Sequence, residues 1–172
     1  MRKTVALVGA SSTGKTTVYD LLKHRLGEYS HKDETSRFVN SYGFPINMDA
    51  TNESHLAISS KHLEDLTTPG NLLLDRCYMD LMVYSKFTDK LTVSTHNFIE
   101  DTWNRIKDKY THYIYFPIEG TAQDDGVRNT DETIRAQVDE EFKALLEGTR
   151  KPYLTVSGTP MVRMYQILNY IE

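Results

Sequence analysis

The nine residues Gly9-Ala10-Ser11-Ser12-Thr13-Gly14-Lys15-Thr16-Thr17 match the pattern G-x-x-x-x-G-K-[ST] without a gap. This stretch constrains the fold more than any other, because the pattern works only between a buried strand and a helix. Both neighbours are present. Val5-Ala6-Leu7-Val8 is a short apolar run bounded by Gly9, as a strand covered on both faces requires. Downstream, Val18, Leu21, Leu22 and Leu26 fall on one face of a 3.6-residue helix.

Each residue type in the loop has a physical task. Gly9 and Gly14 let the chain turn tightly and bring successive backbone N–H groups, through Ser11, Ser12 and Thr13, onto a polyphosphate. The start of the following helix adds its partial positive charge. Lys15 is placed to reach the β- and γ-phosphates as a point charge, the Thr16 hydroxyl to ligate Mg2+, and Thr17 to cap the helix or touch a phosphate. The loop therefore predicts ATP and Mg2+ as cofactors.

With 172 residues, the chain suits one domain over residues 1–172. No apolar run approaches the ~20 residues of a membrane span, and the short one after Met1-Arg2-Lys3 is too brief for a signal peptide. A lone cysteine, Cys77, fits a reducing compartment, so a cytoplasmic protein is expected, in host cytoplasm if viral, as a monomer or homodimer. The net charge of −4 gives no global basic field for a polyanion such as DNA.

Along the rest of the chain, strands alternate with helices. Residues 28–33 are a weak second strand, 34–39 begin a short helix, and a helix from about Asn52 carries Leu56, Leu63 and Leu66 inward until Pro69-Gly70. Leu72-Leu73-Leu74 is a third strand running into Asp75-Arg76. Helices follow over 78–87 and from Ser94, then an aromatic strand at 112–116. The polar stretch 120–130 lacks core residues. Ile134, Val138, Phe142 and Leu145 then line one helix face, with Asn129 as the expected cap and Gly148 as the stop. Residues 153–156 form the last strand, and Thr159-Pro160 opens a helix with Met161, Met164, Tyr165, Leu168 and Ile171 inward. Five strands so arranged predict a doubly wound parallel α/β sheet, with ligands at the carboxyl ends of its strands.

The chain resembles the small P-loop kinases that include the ribosylnicotinamide kinase domain of NadR-type proteins and the AAA_28-like ATPase group, related to nucleoside monophosphate kinases and thymidylate kinase. The resemblance rests on the phosphate loop, on Glu34-Thr35-Ser36-Arg37 as an E-x-x-R element, on Asp75-Arg76 at a strand end, and on Asp125-Gly126-Val127-Arg128 in the lid position. It implies a P-loop NTPase fold of three layers, strand order 2-3-1-4-5, a helical lid over about residues 118–131, and phosphoryl transfer.

Roles follow from that chemistry, in which catalysis is positioning and charge neutralisation. Asp75 is placed to hold Mg2+ through water or to accept the acceptor hydroxyl's proton, and Glu34 competes for the second task. Arg76 and Arg37 are candidates for binding the acceptor or a phosphate; Arg76 alternatively pairs with a neighbouring acid. Arg128 is expected to bring a cation onto the γ-phosphate. Gly158 and Arg163 are expected at the adenine. His55 and His62, seven apart with no completing ligands, read as solvated, and Cys77 as a small buried thiol.

The leading expectation is an ATP- and Mg2+-dependent kinase of a nucleoside, nucleotide or similar small acceptor. A kinase of a hydroxymethylated base in DNA is one alternative. A nucleotide-binding ATPase without an acceptor is the other, disfavoured because no N-K-x-D base motif is present.

Overall fold

In a computed structural model, residues 2–120 and 131–172 are described. The elements run β1 (Thr4–Val8), α1 (Lys15–Lys23), β2 (Ser30–Lys32), α2 (Thr35–Ser41), α3 (Asn52–Thr67), β3 (Leu72–Asp75), α4 (Tyr78–Ser85), α5 (Val93–Ile106), β4 (His112–Tyr115), α6 (Glu132–Gly148), β5 (Tyr153–Thr155) and α7 (Pro160–Ile171). The five strands form one sheet in the order β2-β3-β1-β4-β5, and all pairings are parallel. This is the α/β P-loop NTPase arrangement that the sequence predicts.

The central strand β1 is apolar at nearly every position because both of its faces are covered. Val5 and Leu7 point into a core with Val18 and Leu22 of α1 and Met164 and Ile167 of α7. Ala6 and Val8 point the other way, into a core built from α3 to α6 with Tyr113, Val138 and Phe142. Alternation across the strand thus decides which helix layer each residue meets. Because β1 sits between β3 and β4, its carboxyl end brings the phosphate loop beside Asp75 in β3.

Several helix faces are rotated from their sequence expectations. In α3, Leu56 is 40% exposed, and His55, Ile58, Ser59 and His62 turn inward instead. The polar groups tolerate burial because each finds a partner: His55 Nδ1 at 3.1 Å from the Thr51 carbonyl, Ser59 Oγ at 2.9 Å from the Tyr78 hydroxyl, His62 Nδ1 at 3.4 Å from Thr35 Oγ1. His55 and His62 are therefore not solvated. In α7, Met161 and Tyr165 are exposed, and Ile167 packs inward with Met164 and Ile171. Helix α6 is capped by Asp131, whose carboxylate accepts from the Thr133 and Ile134 amides, and it buries Leu146 more deeply than Leu145. It runs through Gly148 to a cap at Thr149; the expected cap Asn129 lies outside the described residues. Among the described residues no helix is long and apolar enough to cross a membrane.

Candidate active site

The phosphate loop leaves β1 at Gly9, which has φ +136°, and a Cβ there would stand 2.4 Å from the Phe116 carbonyl oxygen. Only glycine fits that conformation and that approach. Gly14, at φ +85°, caps α1 without a side-chain hydrogen bond, so the first-turn amides stay open to an anion. Lys15 lies along the loop. Its ammonium donates to the carbonyls of Gly9 (2.8 Å) and Ala10 and to Thr13 Oγ1 (3.0 Å). Burial, then the charge of Arg76, lowers the Lys15 pKa to about 7.

Two arginines from distant helices hold the outside of the loop. Arg135 of α6 donates from Nε to the Ser11 carbonyl (2.9 Å) and from Nη2 to that of Ser12 (3.3 Å). Arg163 of α7 donates from Nη1 to the Thr13 carbonyl (2.7 Å), and its Nη2 pairs with Glu119. No peptide in the described chain is cis. In a trans peptide the N–H points opposite to the C=O, so three carbonyls turned toward arginines turn the amides of Ser12, Thr13 and Gly14 to the other side. Arg163 thus faces the phosphate loop, while Gly158 donates its amide to Glu119 at 3.4 Å. Thr17 is exposed on the first turn of α1.

Thr16 Oγ1 donates to Asp75 Oδ2 at 2.8 Å. The other oxygen, Asp75 Oδ1, is buried without a hydrogen-bond partner. A hydroxyl and an unsatisfied carboxylate oxygen side by side at the mouth of a phosphate loop fit a hard divalent cation, bound directly or through water. Burial raises the Asp75 pKa, against the opposing pull of Arg76.

Beyond Asp75 the chain turns through Arg76, a left-handed residue at φ +78°, whose amide is tied to the Leu7 carbonyl at 3.1 Å. That turn aims the guanidinium into a cleft of about 940 Å3, counting the solvent at its mouth. Arg76 Nε lies 3.0 Å from Glu34 Oε1, and Nη1 lies 2.8 Å from Asp80 Oδ1. Asp80 Oδ2 accepts the Cys77 amide at 2.9 Å, capping α4. Glu34 also accepts from Arg37 Nε (3.0 Å) and Ser36 Oγ (2.8 Å). Burial raises its pKa, but Arg76, Ser36 and Arg37 together hold it at about 2. His62, at the wall of the cleft, is pushed down to about 3 by burial and by the charges of Arg76 and Lys61. Cys77 is buried and its thiol pKa is raised, chiefly by that burial.

The structure therefore brings Lys15, Thr16, Asp75, Glu34, Arg76 and Arg37 to one sheet edge, with Arg163 behind the loop. Arg128 and the rest of the Asp125-Gly126-Val127-Arg128 element lie outside the described residues. Asp80 and Arg135 carry no motif of their own. Asp80, four residues after Arg76, had an i,i+4 charge spacing that hinted at it; Arg135 pairs locally with Glu132 at 2.9 Å, but its two contacts with the phosphate loop span more than a hundred residues.

A family model described as AAA domain matches residues 4–163. No curated protein sequence matches the chain. Among solved structures, NadR protein in complex with NR superposes with a TM-score of 0.76 at 16% identity, covering 99% of this chain and 50% of that one. Thymidylate kinase from Ehrlichia chaffeensis gives a TM-score of 0.72 at 12% identity, with 99% of both chains covered. Deoxyadenosine kinase from M. mycoides with bound dCTP gives 0.69 at 13%, with 98% of both chains covered. The chain spans half the length of the NadR chain that it matches.

Proposed function

The chain belongs to the AAA-domain family matched over residues 4–163, and on that premise we propose that it is an ATP- and Mg2+-dependent kinase of a small nucleoside-like acceptor. One observation carries the reading: the phosphate loop and the cleft with Glu34 and Arg76 open at the same strand ends, β1 and β3. A nucleotide switch or simple ATPase needs the first site and has no use for the second. The solved kinases of like fold support the same conclusion.

Thr16 and Asp75 would hold Mg2+, which supplies positive charge to the phosphate oxygens when bound. Lys15 and the amides of Ser12, Thr13 and Gly14 bind the β- and γ-phosphates. The acceptor hydroxyl donates to Glu34, which stays ionised because Arg76 and Arg37 hold its pKa near 2. So weak a base orients the hydroxyl and receives its proton late. That suffices for phosphoryl transfer, whose transition state is loose. Asp75, absent from the cleft lining, stays with Thr16.

ADP release measured with ATP, Mg2+ and a panel of nucleosides, nucleotides and hydroxymethylated DNA tests the proposal. Acceptor-dependent release is expected, and release that no acceptor accelerates overturns it.

A further inference from the structure

The lining of the cleft beside the phosphate loop is of two kinds, a set of paired charges and a set of apolar and aromatic walls. Near the loop lie Glu34, Asp80, Arg37 and Arg76, two charges of each sign, so the charged lining sums to zero. Each guanidinium is already matched: Arg76 to Glu34 at 3.0 Å and to Asp80 at 2.8 Å, Arg37 to Glu34 at 3.0 Å. The remaining walls are largely apolar and aromatic, with Ile58, Leu81, Phe87 and Tyr84, whose ring centroid lies 5.7 Å from the Arg76 guanidinium carbon. His55 of α3 also lines the cleft. Its Nδ1 lies 3.1 Å from the Thr51 carbonyl, which can only accept, so Nδ1 carries the proton and Nε2 keeps its lone pair.

We infer that the acceptor is an uncharged nucleoside and not a nucleoside monophosphate: its sugar hydroxyl lies against Glu34, its base between the apolar walls, and an N–H of the base donates to His55 Nε2. The inference rests on the kinase reading above and narrows it. A monophosphate brings roughly two negative charges. Among the described residues of the cleft it would find no cation in excess. To recruit Arg76 it would have to strip a guanidinium from Glu34 and from the buried Asp80, which is strongly unfavourable. A neutral nucleoside needs no such exchange. In the transfer, the hydroxyl oxygen forms a bond to the γ-phosphorus as the bond to the β,γ-bridging oxygen breaks. ADP leaves with that electron pair, and the hydroxyl proton passes to Glu34 and on to solvent.

The test uses the full chain with ATP and Mg2+, following ADP release with ribo- and deoxyribonucleosides and with their 5′-monophosphates. Calorimetric titration of the same compounds in the presence of a non-hydrolysable ATP analogue gives a readout independent of turnover. At least one nucleoside should exceed its own monophosphate about a hundredfold in kcat/KM and bind correspondingly tighter, given the cost of unmatched like charges. His55→Ala should raise that nucleoside's KM about tenfold with kcat nearly unchanged, as loss of one hydrogen bond does, and His55→Gln, which keeps an acceptor near the Nε2 position, should recover part of it. Melting temperatures near that of the unaltered chain establish that both variants are folded. Equal or better use of monophosphates overturns the inference and leaves the kinase reading standing. So does transfer to hydroxymethylated DNA alone. ADP release that no acceptor stimulates overturns both. An unmoved KM in folded His55→Ala removes the contact to the base.

Discussion

The phosphate loop and the cleft share one sheet edge, and on the reading proposed above they would recognise their ligands by opposite means. The loop is contiguous in sequence and works through backbone: Gly9 and Gly14 take conformations a side chain would forbid, and arginines behind it fix the carbonyls. Among the described residues of the loop, Lys15 carries the one charge, and its ammonium rests on carbonyls and a hydroxyl with no carboxylate hydrogen-bonded to it. The cleft is assembled from α2, α3, α4 and α6, and its charges cancel within it. On that reading a polyanion would be held by donors that have no other anion to satisfy, and a neutral acceptor by groups whose charges are already answered. Substitutions in the loop should therefore act on turnover as a whole, and those in the cleft on which acceptor is used.

The largest effects test the loop. Lys15→Ala should lower kcat by about 10²–10³-fold, the loss that follows removal of one preorganised charge-stabilising donor, while circular dichroism shows the fold retained. Wild-type turnover in that folded variant would erase the contrast between the two regions. Asp75→Asn should cost about a hundredfold in kcat and raise the Mg2+ concentration needed for half-maximal rate. If Asp75→Asn is nearly silent and Glu34→Gln is severe, the decisive carboxylate lies in the cleft, and the division of labour drawn here between Asp75 and Glu34 is reversed.

The two regions also differed in how far their sequence revealed them. The loop and the five parallel strands were legible because strand, loop and helix signals sit next to one another in the chain, whereas the strand order came from the resemblance to small P-loop kinases. That Asp75 and Glu34 would stand at this sheet edge was legible because each lies at or just after the end of an expected strand. The cleft was not. His55 and His62 look like surface histidines until α3 is rotated by its contacts, after which burial is supported by Thr51 and Thr35 at the far side of each ring. Leu56 would have been the natural inward residue by hydropathy, yet Ile58 and Leu66 already fill the core there. Arg135 lies furthest beyond sequence reasoning, because its meaning depends on a carbonyl 124 positions away.

Arg135 offers a smaller test of the same comparison. Arg135→Gln removes charged donors from the Ser11 and Ser12 carbonyls and should raise the KM for ATP by tens of fold, with a lesser fall in kcat and no change in the ranking of acceptors. Arg135→Lys, keeping the charge but not the fork, should fall between the two. A changed acceptor ranking with an unmoved KM for ATP would assign Arg135 to the cleft, which its α6 neighbours Ile134 and Val138 also line.

The smallest expected effect is a pH dependence confined to the loop. Lys15 has its pKa lowered to about 7 by burial and then by Arg76, whereas the same group in an unfolded chain titrates near 10.5. Between these values the folded chain binds fewer protons than the unfolded one, so the Lys15 contribution makes the ligand-free protein more stable as pH rises from about 7 toward 10.5. Nucleotide binding runs the other way. A phosphate beside the ammonium raises its pKa again, so above pH 7 each binding event takes up a proton, and affinity should fall by up to about tenfold per pH unit until the bound pKa is reached. Within the cleft, Glu34 at about 2 and His62 at about 3 have both finished titrating below this window. Calorimetry of a non-hydrolysable ATP analogue between pH 7.5 and 9.5, in buffers of different ionisation enthalpy, reads the proton uptake directly, and thermal melts over the same range read the stability. Both slopes should vanish in Lys15→Met. Affinity that stays level in the unaltered chain would mean that Lys15 keeps its proton throughout, held by the carbonyls of Gly9 and Ala10.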